Sequence, residues 1–305
     1  MTTKERTSVF FLLLTSVIWG TAFVAQGAVS DVLGALTFNA VRNMLGALVM
    51  VPVWIIMSRV NPQQARLTDN RKGYLTTLKA GLICGAFMFL GSFFQQFGIT
   101  QYTGIYGTTA VGKAGFITAL YVILVPIFGL AVKKRPSIQV WIAVVIALLG
   151  LYLLCVRDGF TIDMPDVYLF ICAIAYAVYI LFVDHYSNQV NIYLFSVIQL
   201  LVCSLISFAG MALFEKVVWS DVLASWFPIV YAGVMSSAVA FTLEAVAQKN
   251  IDPTIASLLF CLESVFAALS GWLILNEMMS AKELIGCGLM FVAVLFAQLK
   301  LKKRR

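Results

Sequence analysis

Long apolar runs alternate with short polar connectors along almost the whole chain. Each of ten runs is long enough for a helix to cross the hydrocarbon core of a bilayer, which is about 30 Å thick and takes about 20 apolar residues. The pattern therefore predicts ten transmembrane helices, at 8–28, 33–57, 74–98, 104–131, 137–156, 166–184, 192–214, 226–248, 253–275 and 281–299.

The composition agrees with a chain that lies almost entirely in lipid. Of the 305 residues, 61% are hydrophobic and 11% are charged, whereas soluble proteins carry about 25% charged residues. Ten spans leave only loops outside the membrane, which excludes a separate soluble catalytic domain. The first span continues past Trp19-Gly20 without a clear small-residue cleavage site, so we expect it to be retained rather than removed as a signal peptide.

Positive charges in the connectors predict the orientation of the chain. Short loops rich in Lys and Arg stay in the cytoplasm, and the basic connectors share one side if both termini are cytoplasmic. We therefore expect a multi-pass protein of the cell membrane, whose net charge of +7 meets anionic lipid rather than nucleic acid. The basic set is Lys4, Arg6, Arg59, Arg66, Arg71, Lys72, Lys79, Lys133, Lys134, Arg135, Lys300, Lys302, Lys303, Arg304 and Arg305, and the acidic set opposite is Asp31, Asp158, Asp163, Asp166, Glu215, Asp221 and Glu277.

The two halves of the chain are similar to each other. When the chain is shifted along itself, Trp19-Gly20 falls on Tyr176-Ala177 and Arg42 falls on Gln199. Since each half holds an odd number of spans, the halves must insert in opposite orientations. The sequence thus predicts an all-α polytopic membrane protein made of two inverted five-helix repeats, at 1–160 and 161–305. Inverted repeats are typical of secondary transporters, which bind substrate near the midplane between the repeats.

Three short motifs carry a resemblance to a known family. With them, the chain resembles the drug/metabolite transporter superfamily, in particular the ten-span proteins built from two EamA-type repeats. The usual pattern has Pro after the glutamate of the third motif, where this chain has Ser264, so a kink in the ninth span is an open question. The motifs are Trp19-Gly20 with Arg42, the run KAGFITALY at 113–121 leading to Pro126, and the run ESVFAALSGW at 263–272 continuing through Glu277.

The resemblance implies a carrier that alternates between outward-open and inward-open states. It implies transport of amino acids, related metabolites or xenobiotics, often outward. It also implies that the first four spans of each repeat surround a central cavity, with the fifth span at the periphery.

Four charged residues lie inside the predicted spans: Arg42, Lys113, Glu244 and Glu263. Each costs at least about 2.5–3.5 kcal/mol at a helix centre, so such groups usually face a cavity or a partner. At 1.5 Å per residue, Arg42, Lys113 and Glu263 lie at similar depth and could meet, while Glu244 lies nearer the cytoplasmic face. Glu263 either forms a fixed ion pair with Arg42 or exchanges a proton during transport, and Lys113 could instead extend towards the outer headgroups.

Polar and aromatic side chains beside these charges fall on helical stripes, as on span 1, where Thr15, Trp19 and Gln26 share a face. Together they predict a cavity for an amphipathic zwitterion. The alternative for the glutamines and tyrosines, Tyr121 included, is ordinary interhelical packing and hydrogen bonding. The candidate substrate-binding set is Trp19, Arg42, Gln95, Lys113, Tyr176, Tyr179, Gln199, Glu244 and Glu263.

The sequence offers little for catalytic, metal or nucleotide chemistry. It holds one histidine, His185, six cysteines without paired spacing, and no Gly-rich phosphate loop. We therefore expect a non-enzymatic secondary transporter without a cofactor, an exporter of small metabolites such as amino acids or related amphipathic compounds, with the proton as a candidate coupling ion. The alternatives are a multidrug or other metabolite carrier of the same fold, a channel, or a non-transporting scaffold. The Gly81-xxx-Gly85 motif favours packing within the chain over a homodimer contact.

Overall fold

The structure is a computed structural model that describes residues 2–106, 111–155, 162–275 and 279–299. Ten helical segments in these residues are long and apolar enough to cross a membrane, which confirms the predicted all-α polytopic fold. Asp158, Glu277 and the basic residues 300–305 lie outside the described ranges. Spans 1 to 10 are Thr3–Gly27, Ala35–Val60, Arg71–Ile105, Lys113–Ala131, Ile138–Cys155, Met164–Ser187, Ile192–Phe214, Trp226–Ala247, Pro253–Ser270 and Ala281–Gln298.

Several helices are shorter or longer than these spans. The helix of span 3 runs to Tyr106 and that of span 9 runs to Leu275, and short helices Pro62–Arg66 and Trp219–Ala224 lie in the connectors. The predicted start of span 4 at residue 104 is wrong, because the preceding helix touches span 6 at Gly98 and continues through Gly104 to Tyr106.

Three spans are not regular α-helices. Span 4 consists of Val111–Thr118 and Tyr121–Ala131, span 8 contains a ten-residue π-helix at Tyr231–Ala240, and span 9 is interrupted at Cys261. The interruption of span 9 occurs although Ser264 replaces the usual proline. The hydroxyl of Ser264 donates to the Gly115 carbonyl at 3.3 Å, so the broken regions of spans 4 and 9 adjoin.

The helices of the two repeats interleave. Span 1 packs on spans 8 and 9, span 2 on 7 and 8, span 3 on 6 and 7, span 4 on 6 and 9, and span 5 on 10. These contacts follow the repeat symmetry, in which spans 1 to 5 correspond to spans 6 to 10. The contact between spans 1 and 9 therefore has its counterpart between spans 6 and 4. The contacts between spans 2 and 7 and between spans 5 and 10 each join two corresponding spans. The expected architecture of two five-helix repeats is therefore present, and its core lies between the repeats rather than within either one.

The Gly81-xxx-Gly85 motif of span 3 is used inside the chain. A Cβ atom added at Gly81 would lie 2.5 Å from the Ile198 side chain, and one at Gly85 would lie 2.7 Å from Val202. Both glycines let span 7 approach closely.

Hydrogen bonds between connectors identify those that share a membrane face. Asn191 donates its amide to the Gln64 carbonyl at 2.9 Å, which joins the connector after span 6 to the one after span 2. Asn188 donates to the Lys249 carbonyl at 3.4 Å, which adds the connector after span 8. We call this side the basic face, because the described Lys- and Arg-rich connectors lie on it.

Candidate functional site

A cavity lies at the centre of the interleaved spans. Its volume is about 40 Å³. Since one water needs about 10–15 Å³, the walls are close together in this conformation. The lining residues are Trp19, Phe23, Gln26, Arg42, Gln95, Thr118, Tyr121, Tyr176, Tyr179, Ile180, Ser236, Phe241, Glu244, Phe260 and Glu263.

Aromatic rings form one wall of this cavity. The ring of Trp19 packs between Phe241 and Phe260, with centroids 5.0 and 5.2 Å away. Its indole nitrogen donates to the carbonyl of Ser236, within the π-helix, at 3.4 Å. Tyr179 packs edge-on against Phe241 at 5.8 Å. Such pairs add about 0.5–1.5 kcal/mol each beyond area burial, so these ring contacts stabilise the wall.

Arg42 is the cation of the cavity. Its side chain is buried, its Nε donates to Asn39 Oδ1 at 2.9 Å, and its guanidinium carbon lies 5.0 Å from the centre of the Phe38 ring. Within the described residues it forms no ion pair with Glu263, so the fixed pair considered above is absent. A guanidinium has five N–H donors, and the observed hydrogen bond to a side chain uses one of them.

Glu263 lies directly after the interruption of span 9. It is 4% exposed, and its Oε1 accepts a hydrogen bond from the Tyr121 hydroxyl at 2.9 Å. Tyr121 itself begins the second helix of span 4. A Cβ added at Gly20 would lie 2.6 Å from the Glu263 carbonyl oxygen, so Gly20 allows span 1 to touch span 9 here.

Glu244 contributes a second carboxyl to the same cavity. It is fully buried, and its Oε1 accepts a hydrogen bond from the Gln248 amide at 2.9 Å. Its Oε2 is buried without a hydrogen-bond partner. The cavity therefore combines one guanidinium with two carboxyl groups.

Seven of the nine candidate residues line the cavity, and two do not. Gln199 lies behind the wall, where its Oε1 accepts from the Tyr179 hydroxyl at 3.1 Å. Lys113 pairs with Asp166 at 2.8 Å and Asp163 at 3.3 Å. The seven are Trp19, Arg42, Gln95, Tyr176, Tyr179, Glu244 and Glu263.

The expected meeting of Lys113 with Arg42 and Glu263 does not occur. The predicted depth of Lys113 rested on a span that begins at residue 104, but the helix of span 4 begins at Val111, so Lys113 lies in its first turn. Asp163 and Asp166 begin span 6 at the same membrane face and neutralise it. By contrast, Glu244, expected nearer the cytoplasmic face, reaches the cavity that contains Glu263.

Sequence reasoning missed part of the cavity wall. Gln26 lies on the helical stripe of span 1, and Phe241 lies three residues before Glu244 on span 8, so a signal for both existed. Tyr121 was weighed as a packing residue. Phe23, Phe260 and Ser236 gave no signal, because an apolar or small side chain looks the same in a cavity wall as in a helix contact.

The described residues contain no cluster of three or more His, Cys, Asp or Glu side chains that could hold a metal ion.

Comparison with known proteins points to transport. A protein of Archaeoglobus fulgidus named "Uncharacterized transporter" is 27% identical over 290 residues, which cover 95% of this chain and 85% of that protein.

A solved crystal structure that is 18% identical superposes on this chain with a TM-score of 0.76, over 96% of each chain. At that identity the likeness shows the shared fold alone. The model of the EamA-like transporter family matches residues 6–156 and 164–298, which is most of the chain. The chain therefore belongs to the EamA-like transporter family of the drug/metabolite transporter superfamily.

Proposed function

We propose that this membrane transporter is a secondary active exporter of amino acids or related zwitterions that works by alternating access. The observation that carries the proposal is the central cavity, in which a buried guanidinium and two buried carboxyl groups flank an aromatic wall. A zwitterion with an apolar side chain has the complementary chemistry: an anion for Arg42, a cation for the glutamates, and a body that packs on Trp19.

The polar groups of the cavity support a bipolar ligand. Tyr176 lines the same cavity as Arg42 and Glu263 and interacts electrostatically with both. Glu263 in turn interacts with Glu244. Arginine suits carboxylate recognition because its planar fork can donate two parallel hydrogen bonds. We assign Arg42 to the substrate carboxylate, Glu263 to the ammonium group, and Trp19 and Tyr176 to the body of the substrate.

The interleaved packing supports alternating access by two mixed bundles. Span 1 packs on spans 8 and 9, and span 2 packs on span 8; their counterparts repeat this, with span 6 on spans 3 and 4 and span 7 on span 3. The narrow cavity lies between these groups and is too small for a metabolite until they separate. Discontinuous helices at the cavity, as in spans 4 and 9, are a recurring feature of transporter sites.

The unequal distribution of Lys and Arg between the two membrane faces supports an orientation of the chain in the membrane. The basic face is assigned to the cytoplasm by the positive-inside rule, with both termini on that side of the cytoplasmic membrane. We keep 1–160 and 161–305 as the repeat bounds; the division falls at 156–161, outside the described residues.

Proteoliposomes test the proposed function. Uptake of a radiolabelled amino-acid mixture is measured with and without unlabelled mixture preloaded inside, and with a pH gradient imposed in either direction. We expect saturable uptake that preloading accelerates, because a carrier returns faster when loaded. Uptake without saturation or acceleration by preloading would indicate a channel, and no uptake under any condition would refute the amino-acid assignment.

A carrier of lipophilic cations is the second candidate. It is favoured by the excess of carboxyl groups over guanidinium in the cavity and by the rings around Trp19. Aromatic faces attract cations, and such a ligand needs no partner for an anionic end. Uptake assays decide between the two candidates. If a quaternary phosphonium cation is transported and amino acids are not, the second candidate is favoured.

A further inference from the structure

The two carboxyl groups of the cavity lie at different distances from the basic face. Span 8 ends at Ala247 and span 9 begins at Pro253, both at that face. Glu244 is therefore about 6 Å along its helix from the cap residue Gln248, whereas Glu263 is about 15 Å into span 9. We propose that Glu244 carries the coupled proton and exchanges it with water at the basic face past Gln248, while Glu263 contacts the cationic group of the substrate. This inference rests on the proposed function.

The hydrogen bonds around Glu244 support a proton-exchanging role. Its Oε1 is held by the Gln248 amide, and the Tyr179 hydroxyl also interacts with the carboxyl. Its Oε2 and the Oε1 of Gln248 are buried without a partner at normal hydrogen-bond geometry. Buried polar atoms are almost always satisfied by protein or by water. A proton on Oε2, or a water between the two side chains, would satisfy them. Gln248 is 2% exposed and Asn250, two residues further, is exposed, so the route to solvent is short.

In the part of the chain that the structure describes, no cation forms an ion pair with Glu244. Arg42, on span 2, interacts with Tyr176 and Cys203 rather than with Glu244. Two carboxylates in one desolvated cavity repel each other, and a single proton held by the pair removes that repulsion. Among the described residues, the titratable side chains that interact with Glu244 from other spans are Cys84 of span 3, Tyr121 of span 4, Tyr179 of span 6 and Glu263 of span 9.

This arrangement makes the substrate and the proton compete. When an ammonium group reaches Glu263, its positive charge compensates the carboxylate pair. The O–H bond of Glu244 then breaks, and the proton passes to water near Gln248. After the substrate leaves on the opposite face, a proton from that side binds Oε2 and restores the starting state. Each cycle moves one substrate outward and one proton inward, which is antiport.

The test compares the wild type with Glu244→Gln and Glu263→Gln in proteoliposomes, using the radiolabelled amino-acid mixture. The measured quantity is the ratio of uptake into acid-loaded vesicles to uptake without a gradient. We expect a ratio several-fold above one in the wild type and a ratio of one in Glu244→Gln, which still shows acceleration by preloading. We expect Glu263→Gln to lose uptake itself. Asp31→Asn, which removes an exposed carboxyl on the other face, is the control and should keep the wild-type ratio.

Each result has a defined meaning. A wild-type ratio in Glu244→Gln overturns the inference and leaves the proposed function standing. Absence of carrier behaviour in the wild type overturns the proposed function, on which the inference rests. If Glu244→Gln does not fold or carries nothing, Gln248→Leu decides, because it keeps Glu244 but closes the polar route. A several-fold lower ratio with preserved acceleration by preloading supports the inference, and an undiminished ratio in Gln248→Leu overturns it.

Discussion

Gly20 brings span 1 into contact with the backbone of span 9, and a methyl group added there has no space. The added Cβ would lie 2.6 Å from the Glu263 carbonyl oxygen, 2.6 Å from Phe266 Cβ and 2.8 Å from the Ala267 nitrogen. Ordinary contact begins at 3.4 Å, so in Gly20→Ala the two helices must separate by about 0.8 Å. None of these three atoms belongs to a flexible side chain end, so separation of the helices is the only relief.

The free energy of this change follows from two opposing terms. Overpacking of a close contact costs about 1–3 kcal/mol, while Gly→Ala inside a helix gains about 0.5–1 kcal/mol. Gly288 in span 10 isolates the second term, because a Cβ added there meets nothing within 4 Å. The difference in stability between Gly20→Ala and Gly288→Ala therefore equals the overpacking term, about 1–3 kcal/mol.

Thermal unfolding in detergent, followed by size-exclusion chromatography of heated samples, measures this difference. We expect Gly20→Ala to unfold at a lower temperature than Gly288→Ala, and to carry less substrate because Trp19 and Glu263 move apart. Equal midpoints for the two variants would refute the close approach of spans 1 and 9.

Two further predictions concern charges at the membrane face opposite the basic face. Lys113→Met leaves Asp166 buried without its ion-pair partner and should cost up to about 3 kcal/mol. The double variant with Asp166→Asn should recover much of that loss; no recovery in thermal midpoint would argue against the pair. Glu215 accepts hydrogen bonds from two backbone N–H groups and one hydroxyl at the start of span 2. Glu215→Ala should therefore cost about 0.5–2 kcal/mol, whereas Asp31→Ala, at an exposed carboxyl of the same face, should leave the midpoint unchanged.

The spans could be predicted because lipid imposes a length and a polarity on any helix that crosses it. The depth of Lys113 could not, because its prediction depended on where span 4 begins. The stretch after Gly98 is polar enough to look like a connector, yet it continues the helix of span 3 to Tyr106. There the Tyr102 hydroxyl donates to Asp166, which also binds Lys113. Such partners come from span 6, far away in sequence.

The charged residues of the candidate site could be predicted, because burial of a charge in the membrane has a high free-energy cost. A charge in lipid needs a reason, so Arg42, Glu244 and Glu263 were identified from the sequence, and all three line the cavity. The hydrogen-bond partner of Arg42 could be predicted too, because Asn39 lies three residues earlier on the same helix face. The π-helix at Tyr231–Ala240 could not be predicted from the sequence, since its apolar and small residues suit an α-helix equally well.

The interleaving of the repeats has a consequence for how the protein is made. As the ribosome feeds the chain into the membrane, spans 1 to 5 are inserted before their main packing partners, spans 6 to 10, exist. Spans 1, 2 and 5 pack chiefly on spans 8 and 9, span 7 and span 10, respectively. The first half must therefore wait in the bilayer as loosely associated helices and assemble only when the second half arrives. Two halves expressed as separate polypeptides in one cell should for the same reason find each other, whereas either half alone should be degraded.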